Sequence, residues 1–248
     1  MNRKFKRVLI TGITGAGGSY LAEYICKKEK NIKIFGTYRS KGYLNLLKIK
    51  YKNKIKFFKI NLNNFKKTLK IIKKIKPDLI VHLASDARVR KSFDEPLKVI
   101  NNNNNITLNV LESIRLSGID PIILICSTSE VYGRVKKSDT PIDEKQIMNP
   151  VNPYSVSKAF QDLVSQMYYT TYKLRIIITR MFTYINPRQK YLFQTAFTKQ
   201  IVDIENGKKK VLQHGNLNSV RNFIDTEDAM KAYWLTAKRG KVGEIYNI

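Results

Sequence analysis

The sequence predicts an α/β fold: a doubly wound parallel sheet followed by a small C-terminal lobe. Two observations carry this. Short apolar runs alternate with segments of helical periodicity along residues 1–182, and a glycine-rich turn joins the first run to the first helix. Strands buried on both faces of a parallel sheet read as continuous apolar runs, and their alternation with helices implies right-handed βαβ units.

In order, the strand-like runs are RVLIT (7–11), KIFGTY (33–38), IKFFKI (55–60), DLIVHLA (78–84), PIILICS (121–127) and RIIITRMF (175–182). Between them, SYLAEYICKK (19–28), FKKTLKIIKKI (65–75) and NITLNVLESIRLSG (105–118) space apolar residues as a helix with one buried face requires. The tract NNNNN (101–105) is low in complexity, but it opens the third helical pattern and is not read as a linker. After Phe182 the alternation weakens, and residues 186–210 read as a loop followed by a helix. The chain is therefore expected to divide into a sheet domain, residues 1–182, and a partial lobe, residues 183–248, from which one segment returns to the sheet.

The 248 residues are 43% hydrophobic, enough for one substantial core, and carry a formal net charge of +27. Such a charge invites a nucleic-acid reading. The lysines, however, are scattered over nearly every surface segment and form no stripe interleaved with aromatics, so a solvated basic surface is the plainer expectation and no specific nucleic-acid partner is expected. The charge would still attract polyanionic small molecules. Cys26 and Cys126 sit in apolar contexts without metal-ligand spacing, which argues against a disulfide framework and for a reducing compartment. The opening MNRKFKRVLITG has too short an apolar stretch for a signal peptide, and no run is long enough to span a bilayer. A soluble, cytoplasmic protein without membrane contact is expected.

The first strand leads into TGITGAGGSYLAE, with Gly12, Gly15 and Gly18 spaced G-x-x-G-x-x-G before a helix. Glycines allow a tight turn and close approach to a pyrophosphate, and the helix N-terminus offers unpaired N–H groups. The spacing lacks the more familiar G-x-G opening, and an ordinary βα turn is the competing explanation. With strand, loop and helix all present, a Rossmann-type dinucleotide site is expected. An acidic residue at the end of the second strand would bind a ribose 2′-hydroxyl. Instead GTYRSKG supplies Arg39, then Ser40 and Lys41, and a cation there suits a 2′-phosphate, so NADP is expected over NAD. A surface arginine in a lysine-rich chain is the alternative.

In NPYSVSK, Tyr154 and Lys158 stand one helical turn apart on the same face. A phenol ionises near pH ~10, and a neighbouring ammonium lowers that towards the range of a useful base. The fifth strand ends in STSEVYG, which places Thr128 and Glu130 at the carboxyl edge of the sheet, where open α/β folds bind ligands.

Together, TGITGAGGSYLAE, STSEVYG, the Tyr154–Lys158 pair and HGNLNSVRNFIDTEDAMKAYWL resemble the extended short-chain dehydrogenase/reductase family in its nucleotide-sugar branch, from Val8 to the end of the chain. The motifs are most similar to members of that branch that dehydrate GDP-mannose. The resemblance implies a catalytic set of Thr128, Glu130, Tyr154 and Lys158. It implies cofactor contacts from Gly12, Ile13, Thr14, Gly15, Ala16, Gly17 and Gly18 in the turn and from Asn61 and Leu62. Further contacts are implied from Leu83, Ala84 and Ser85 in LASDA (83–87), from the helix asparagine Asn103, and from Tyr184, beside Arg39, Tyr154 and Lys158. Thr128, Thr183, Arg188 and Arg221 are implied as substrate ligands, and a homodimer or homotetramer as the assembly. Asn61 stands where aspartate is usual, Thr183 and Asn186 replace the common Asn and Gly, and Asn222 follows Arg221 where Asp is usual; these departures bear on the sugar nucleotide more than on the chemistry. The family normally continues well beyond GEIYNI, so the lobe is expected to be incomplete.

The implied function is an NADP-dependent nucleotide-sugar 4,6-dehydratase, a hydro-lyase. Oxidation at C4 makes the C5 proton acidic, and Glu130 is placed to remove it and to assist loss of the C6 hydroxyl. The alternatives are a nucleotide-sugar 4-ketoreductase of the GDP-6-deoxy-mannose type or an NAD(P)-dependent epimerase, in which Glu130 would be partly structural. A regulator that only senses a dinucleotide is a third reading, but it would not need Thr128, Tyr154 and Lys158 together. His82 lies in an apolar strand and reads as a packed histidine rather than a ligand; His214 has no paired ligand, and no metal is expected. The cations of SDARVRKSF (85–93) read equally as surface charge or as diphosphate attraction.

Overall fold

The structure is a computed structural model that describes residues 2–39, 46, 49–189, 192–218 and 220–248. Strand β1 (Arg7–Thr11) pairs in parallel with β2 (Lys33–Tyr38) on one side and with β4 (Leu79–His82) on the other. Beyond β2 lies β3 (Ile55–Lys59); beyond β4 lie β5 (Ile122–Thr128), β6 (Ile176–Met181) and β9 (Ile245–Asn247). Among the described residues the order of this parallel sheet is β3-β2-β1-β4-β5-β6-β9. The order reverses between β1 and β4, so the connections leaving those strands diverge and open a crevice at their carboxyl ends.

Alternation along the strands decides which core each residue joins. Val8 and Ile10 face a cluster with Leu21 and Ile25 of α1 (Ala16–Lys28) and Met230 and Trp234 of α7 (Thr226–Arg239). Leu9, Ile80, Ile123 and Ile125 face the opposite cluster, built on α2 (Phe65–Ile75), α4 (Pro96–Arg115) and α5 (Pro153–Tyr172). A short α3 (Val89–Asp94) precedes α4. Both faces are thus covered, which is why the strands tolerate no polar alternation.

Helix α4 starts well before its periodicity indicates. The pattern predicts 105–118, but α4 begins at Pro96, which stands at the first helical position, and the whole asparagine tract lies inside it. Its buried face carries Asn103 and Thr107 between Val99 and Val110, and those two polar residues mask the apolar period.

Beyond β6 the chain makes a two-stranded parallel ribbon, β7 (Thr183–Tyr184) with β8 (Phe223–Ile224), and helix α6 (Phe193–Glu205). Helix α7 then packs on α1, and β9 hydrogen-bonds to β6, so residues 226–248 lie on the sheet body. Asp225 caps α7 by accepting from the Glu227 amide. Asn247 is tied to the loop after β5: its side chain accepts from the Tyr132 hydroxyl at 2.7 Å and donates to the Ile142 carbonyl at 3.0 Å.

Candidate active site

At the end of β1 the chain turns at Gly12, whose φ of +67° suits glycine, and a Cβ there would stand 2.8 Å from the Ala84 Cα. The two strand ends therefore approach more closely than any other residue would permit. Helix α1 follows with Gly15 as its N-cap; no side chain caps it, and its first turn has no acidic residue. Its N–H groups and positive dipole end are left for an anion. A Cβ on Gly17 would meet the Tyr184 hydroxyl at 2.8 Å. This bare cradle fits the diphosphate of a dinucleotide.

Two adjoining hollows meet over the cradle. One is lined by Thr14, Asn61, Leu62 and Ala84, the other by Ala16, Gly17, Gly18, Thr128, Glu130 and Tyr154; Gly12, Gly15, Arg39, Leu83 and Ser85 line both. Lys158, Thr183 and Tyr184 also line the second. The structure thus gathers most of the residues singled out from the sequence. Arg39 also donates to the Asn102 side-chain oxygen at 3.3 Å; Ser40 and Lys41 lie outside the described residues.

Four expected contacts fall elsewhere. Ile13 is fully buried beneath Gly36, and its amide donates to the Thr37 carbonyl at 3.1 Å. Asn103 sits behind the wall, accepting from the Asp86 amide at 2.7 Å and donating to Ser157 Oγ at 2.9 Å. Arg188 donates to Ser19 at 2.9 Å and to the Glu23 carboxylate at 2.6 Å, with its guanidinium 3.9 Å from the centre of the Tyr20 ring. Arg221 is exposed, and its guanidinium donates to the Val220 carbonyl at 2.8 Å. Neither arginine lines the described hollows. Arg88 does, and Asp86 grips it with two hydrogen bonds of 2.8 and 2.6 Å.

Helix α5 supplies Tyr154 and Lys158. Asn152 starts it with a capping box: its side chain accepts from the Ser155 amide at 2.8 Å, and Ser155 Oγ accepts from the Asn152 amide at 3.1 Å. Asn152 also donates to the Glu130 carboxylate at 2.9 Å. Sequence reasoning missed this residue, although an N-cap asparagine before Pro153 is a recognisable helix start. It also missed Ser127, whose buried Oγ has no protein partner and belongs to the wall of the second hollow.

The electrostatics correct one expectation. Lys158 donates to the Cys126 carbonyl and to the Gln161 side-chain oxygen rather than acting on the phenol. Burial and then the Glu130 carboxylate push the Tyr154 phenol well above its ordinary range, against a hydrogen bond from Thr128 that lowers it. Burial brings Lys158 down to about 8. Both shifts favour the neutral forms, phenol and amine.

Strand order, glycine cradle and Tyr–Lys helix define a Rossmann-type fold of the extended short-chain dehydrogenase/reductase class. Residues 9–248 match the family model described as GDP-mannose 4,6 dehydratase, and the chain belongs to that family. It is 32% identical over 264 residues to a dTDP-D-glucose 4,6-dehydratase of Dictyostelium discoideum, covering 100% of this chain and 60% of that protein. It is 30% identical over 241 residues to a GDP-mannose 4,6-dehydratase of Yersinia enterocolitica, covering 93% of this chain and 64% of that one. The chain thus spans about 60% of the length of such curated relatives. The solved dTDP-glucose 4,6-dehydratase of Bacillus anthracis, in complex with NAD, superposes with a TM-score of 0.83 at 27% identity, over 98% of this chain and 75% of that one. Among the described residues no helix is long and apolar enough to cross a membrane, and no group of three His, Cys, Asp or Glu side chains is placed to hold a metal ion.

Proposed function

We propose that the protein is a nucleotide-sugar 4,6-dehydratase that uses NADP and takes GDP-mannose to its 4-keto-6-deoxy product. One observation carries this reading: Glu130 shares the hollow of Thr128, Tyr154 and Lys158 and is close enough to the phenol to perturb it. A hydride-transferring site needs only the phenol, the hydroxyl and the lysine. The carboxylate is the additional acid–base group that an elimination requires.

The residues that would hold the cofactor are Gly12, Gly15 and the first turn of α1 for the diphosphate, with Arg39 for the 2′-phosphate and Asn61 and Leu62 for the adenine end. The bound nicotinamide supplies the carrier for the hydride that leaves C4 and returns at C6. Thr128 holds the sugar's O4, and Tyr154 takes the O4 proton once cationic charge in the hollow has brought the phenol down. Glu130 then removes the C5 proton, now acidic beside the C4 ketone, and passes a proton to the departing C6 hydroxyl. C5 regains a proton, the one Tyr154 took from O4 or its solvent equivalent, and C4 stays a ketone; the balance is loss of one water with no net oxidation.

The upward shift of Tyr154 favours one second reading, a 4-ketoreductase, because a protonated phenol is a ready donor to a 4-keto oxygen. Mass spectrometry after incubation with GDP-, CDP-, UDP- and dTDP-hexoses separates the two. Loss of one water without stoichiometric NADPH consumption supports the dehydratase. Consumption of NADPH on a 4-keto sugar, with no water loss from any hexose, supports the reductase. No turnover of either kind defeats both.

A further inference from the structure

Behind Lys158 lies a buried polar chain that the acid–base chemistry does not itself use. Gln161, one turn further along α5, is 2% exposed; Thr107 of α4 is 1% exposed, and His82 of β4 is fully buried. The Lys158 ammonium donates to the Gln161 side-chain oxygen. The Gln161 amide nitrogen donates to Thr107 Oγ at 3.0 Å. His82 Nε2 lies 3.2 Å from the same Oγ, and His82 Nδ1 lies 2.9 Å from Thr11 Oγ, at the end of β1.

Proton bookkeeping orients every link. Thr107 has one hydroxyl proton, given to the Asn103 carbonyl at 2.9 Å, so its oxygen only accepts from Gln161 and His82. His82 must therefore carry its proton on Nε2 and accept on Nδ1 from the Thr11 hydroxyl. Thr11 Oγ in turn accepts from the Ala84 amide at 3.2 Å, beside the glycine turn. With its nitrogen committed to Thr107, the Gln161 amide has only one orientation, and that orientation turns its oxygen on Lys158. Each of these side chains has a hydrogen-bond partner on either side, and a connected buried network of this kind favours one geometry.

We propose that Gln161 is a positioning residue for Lys158: its oxygen holds the ammonium on the inner side of the hollow, and Thr107, His82 and Thr11 fix the amide in the only orientation that does so. The network then links the strand end that bears the glycine cradle to the lysine of the acid–base pair. This rests on the reading that Lys158 belongs to that pair, but the contact itself is independent of the substrate. Other groups facing the lysine are Cys126 from β5 and His82 from β4, with Tyr154 and Asp162 on its own helix; Tyr233 of α7 reaches the Cys126 side chain. Burial and the nearby ammonium bring His82 down to about 3, so it stays neutral and its tautomer does not change across the range in which Lys158 titrates.

The test reads Lys158 directly. Lysines are acetylated with a small reagent over a series of pH values, and the extent at Lys158 is quantified by peptide-resolved mass spectrometry, since only the neutral amine reacts. In the wild-type protein the midpoint is expected at about 8. Gln161→Met removes the accepting oxygen at nearly constant volume and should lower the midpoint by about 0.5 unit or more, roughly a threefold change in proton affinity. Gln161→Glu should raise it by about 1 unit. Thr107→Val, which frees the amide to turn, should shift it in the same direction as Gln161→Met. Circular dichroism identifies the folded variants, and if Gln161→Met does not fold, Gln161→Glu and Thr107→Val decide. Folded variants with an unshifted Lys158 midpoint overturn the proposal. Because this readout needs no turnover, it can fail while dehydration is demonstrated, or succeed while dehydration is not.

Discussion

The Asn152 side chain donates to the Glu130 carboxylate at 2.9 Å while capping the helix that carries Tyr154 and Lys158. One residue thus sets the start of that helix and the position of the carboxylate beside it. Asn152→Ser keeps a capping oxygen but is too short to hold Glu130. It should leave stability within about 0.5 kcal/mol of wild type while dehydration falls roughly tenfold. Asn152→Ala should also lose about 1 kcal/mol of stability. Urea unfolding beside product formation checks both; equal activity in wild type and Asn152→Ser contradicts the positioning.

Gly12→Ala tests the cradle. The new methyl meets the Ala84 backbone at 2.8 Å in a left-handed conformation, so roughly 2 kcal/mol of stability should be lost. Dinucleotide binding, followed by nicotinamide fluorescence, should be lost with it. Unchanged affinity would place the diphosphate elsewhere.

Arg39 borders both hollows, and the nearby Asn102 oxygen steadies it. Arg39→Ala should weaken NADPH binding about tenfold or more and leave NADH binding within about twofold. Equal losses for the two cofactors would assign the arginine a general role and remove the preference for the phosphorylated form.

The buried histidine makes stability acid-sensitive. His82 is held near 3 when folded against 6.5 as its ordinary value, so the unfolded chain binds the proton first. The stabilisation is complete above about pH 6.5 and is lost as pH falls towards about 3, at up to about 1.4 kcal/mol per pH unit. The Asp86 carboxyl, lowered by Arg88 despite its burial, acts in the same direction further into acid. Urea midpoints measured between about pH 7 and about pH 4 should fall steadily; a flat profile contradicts a neutral, desolvated His82.

Much of the fold was legible because its physics is local. Apolar runs become strands where both faces are covered, a bare glycine turn opens α1, and Tyr154 and Lys158 share a face by helical spacing. What escaped depends on partners far along the chain. Asn103 and Thr107 interrupt the apolar period of α4, and the residues they bind, Ser157, His82 and Gln161, come from other elements. Arg188, implied as a substrate ligand, is held by Ser19 and Glu23 of α1. Lys158 is expected to act on the phenol, yet its ammonium donates to the Cys126 carbonyl of β5. No spacing rule reports such contacts.

The most direct test compares wild type with Glu130→Gln on GDP-mannose in deuterated water, following both water loss and deuterium at C5 by mass spectrometry. A carboxylate that serves the elimination predicts a labelled product that has lost one water in the wild type. In the variant, sugar and cofactor should still bind, with neither water loss nor label. Undiminished dehydration by Glu130→Gln would contradict the account and leave a protein that only moves hydride.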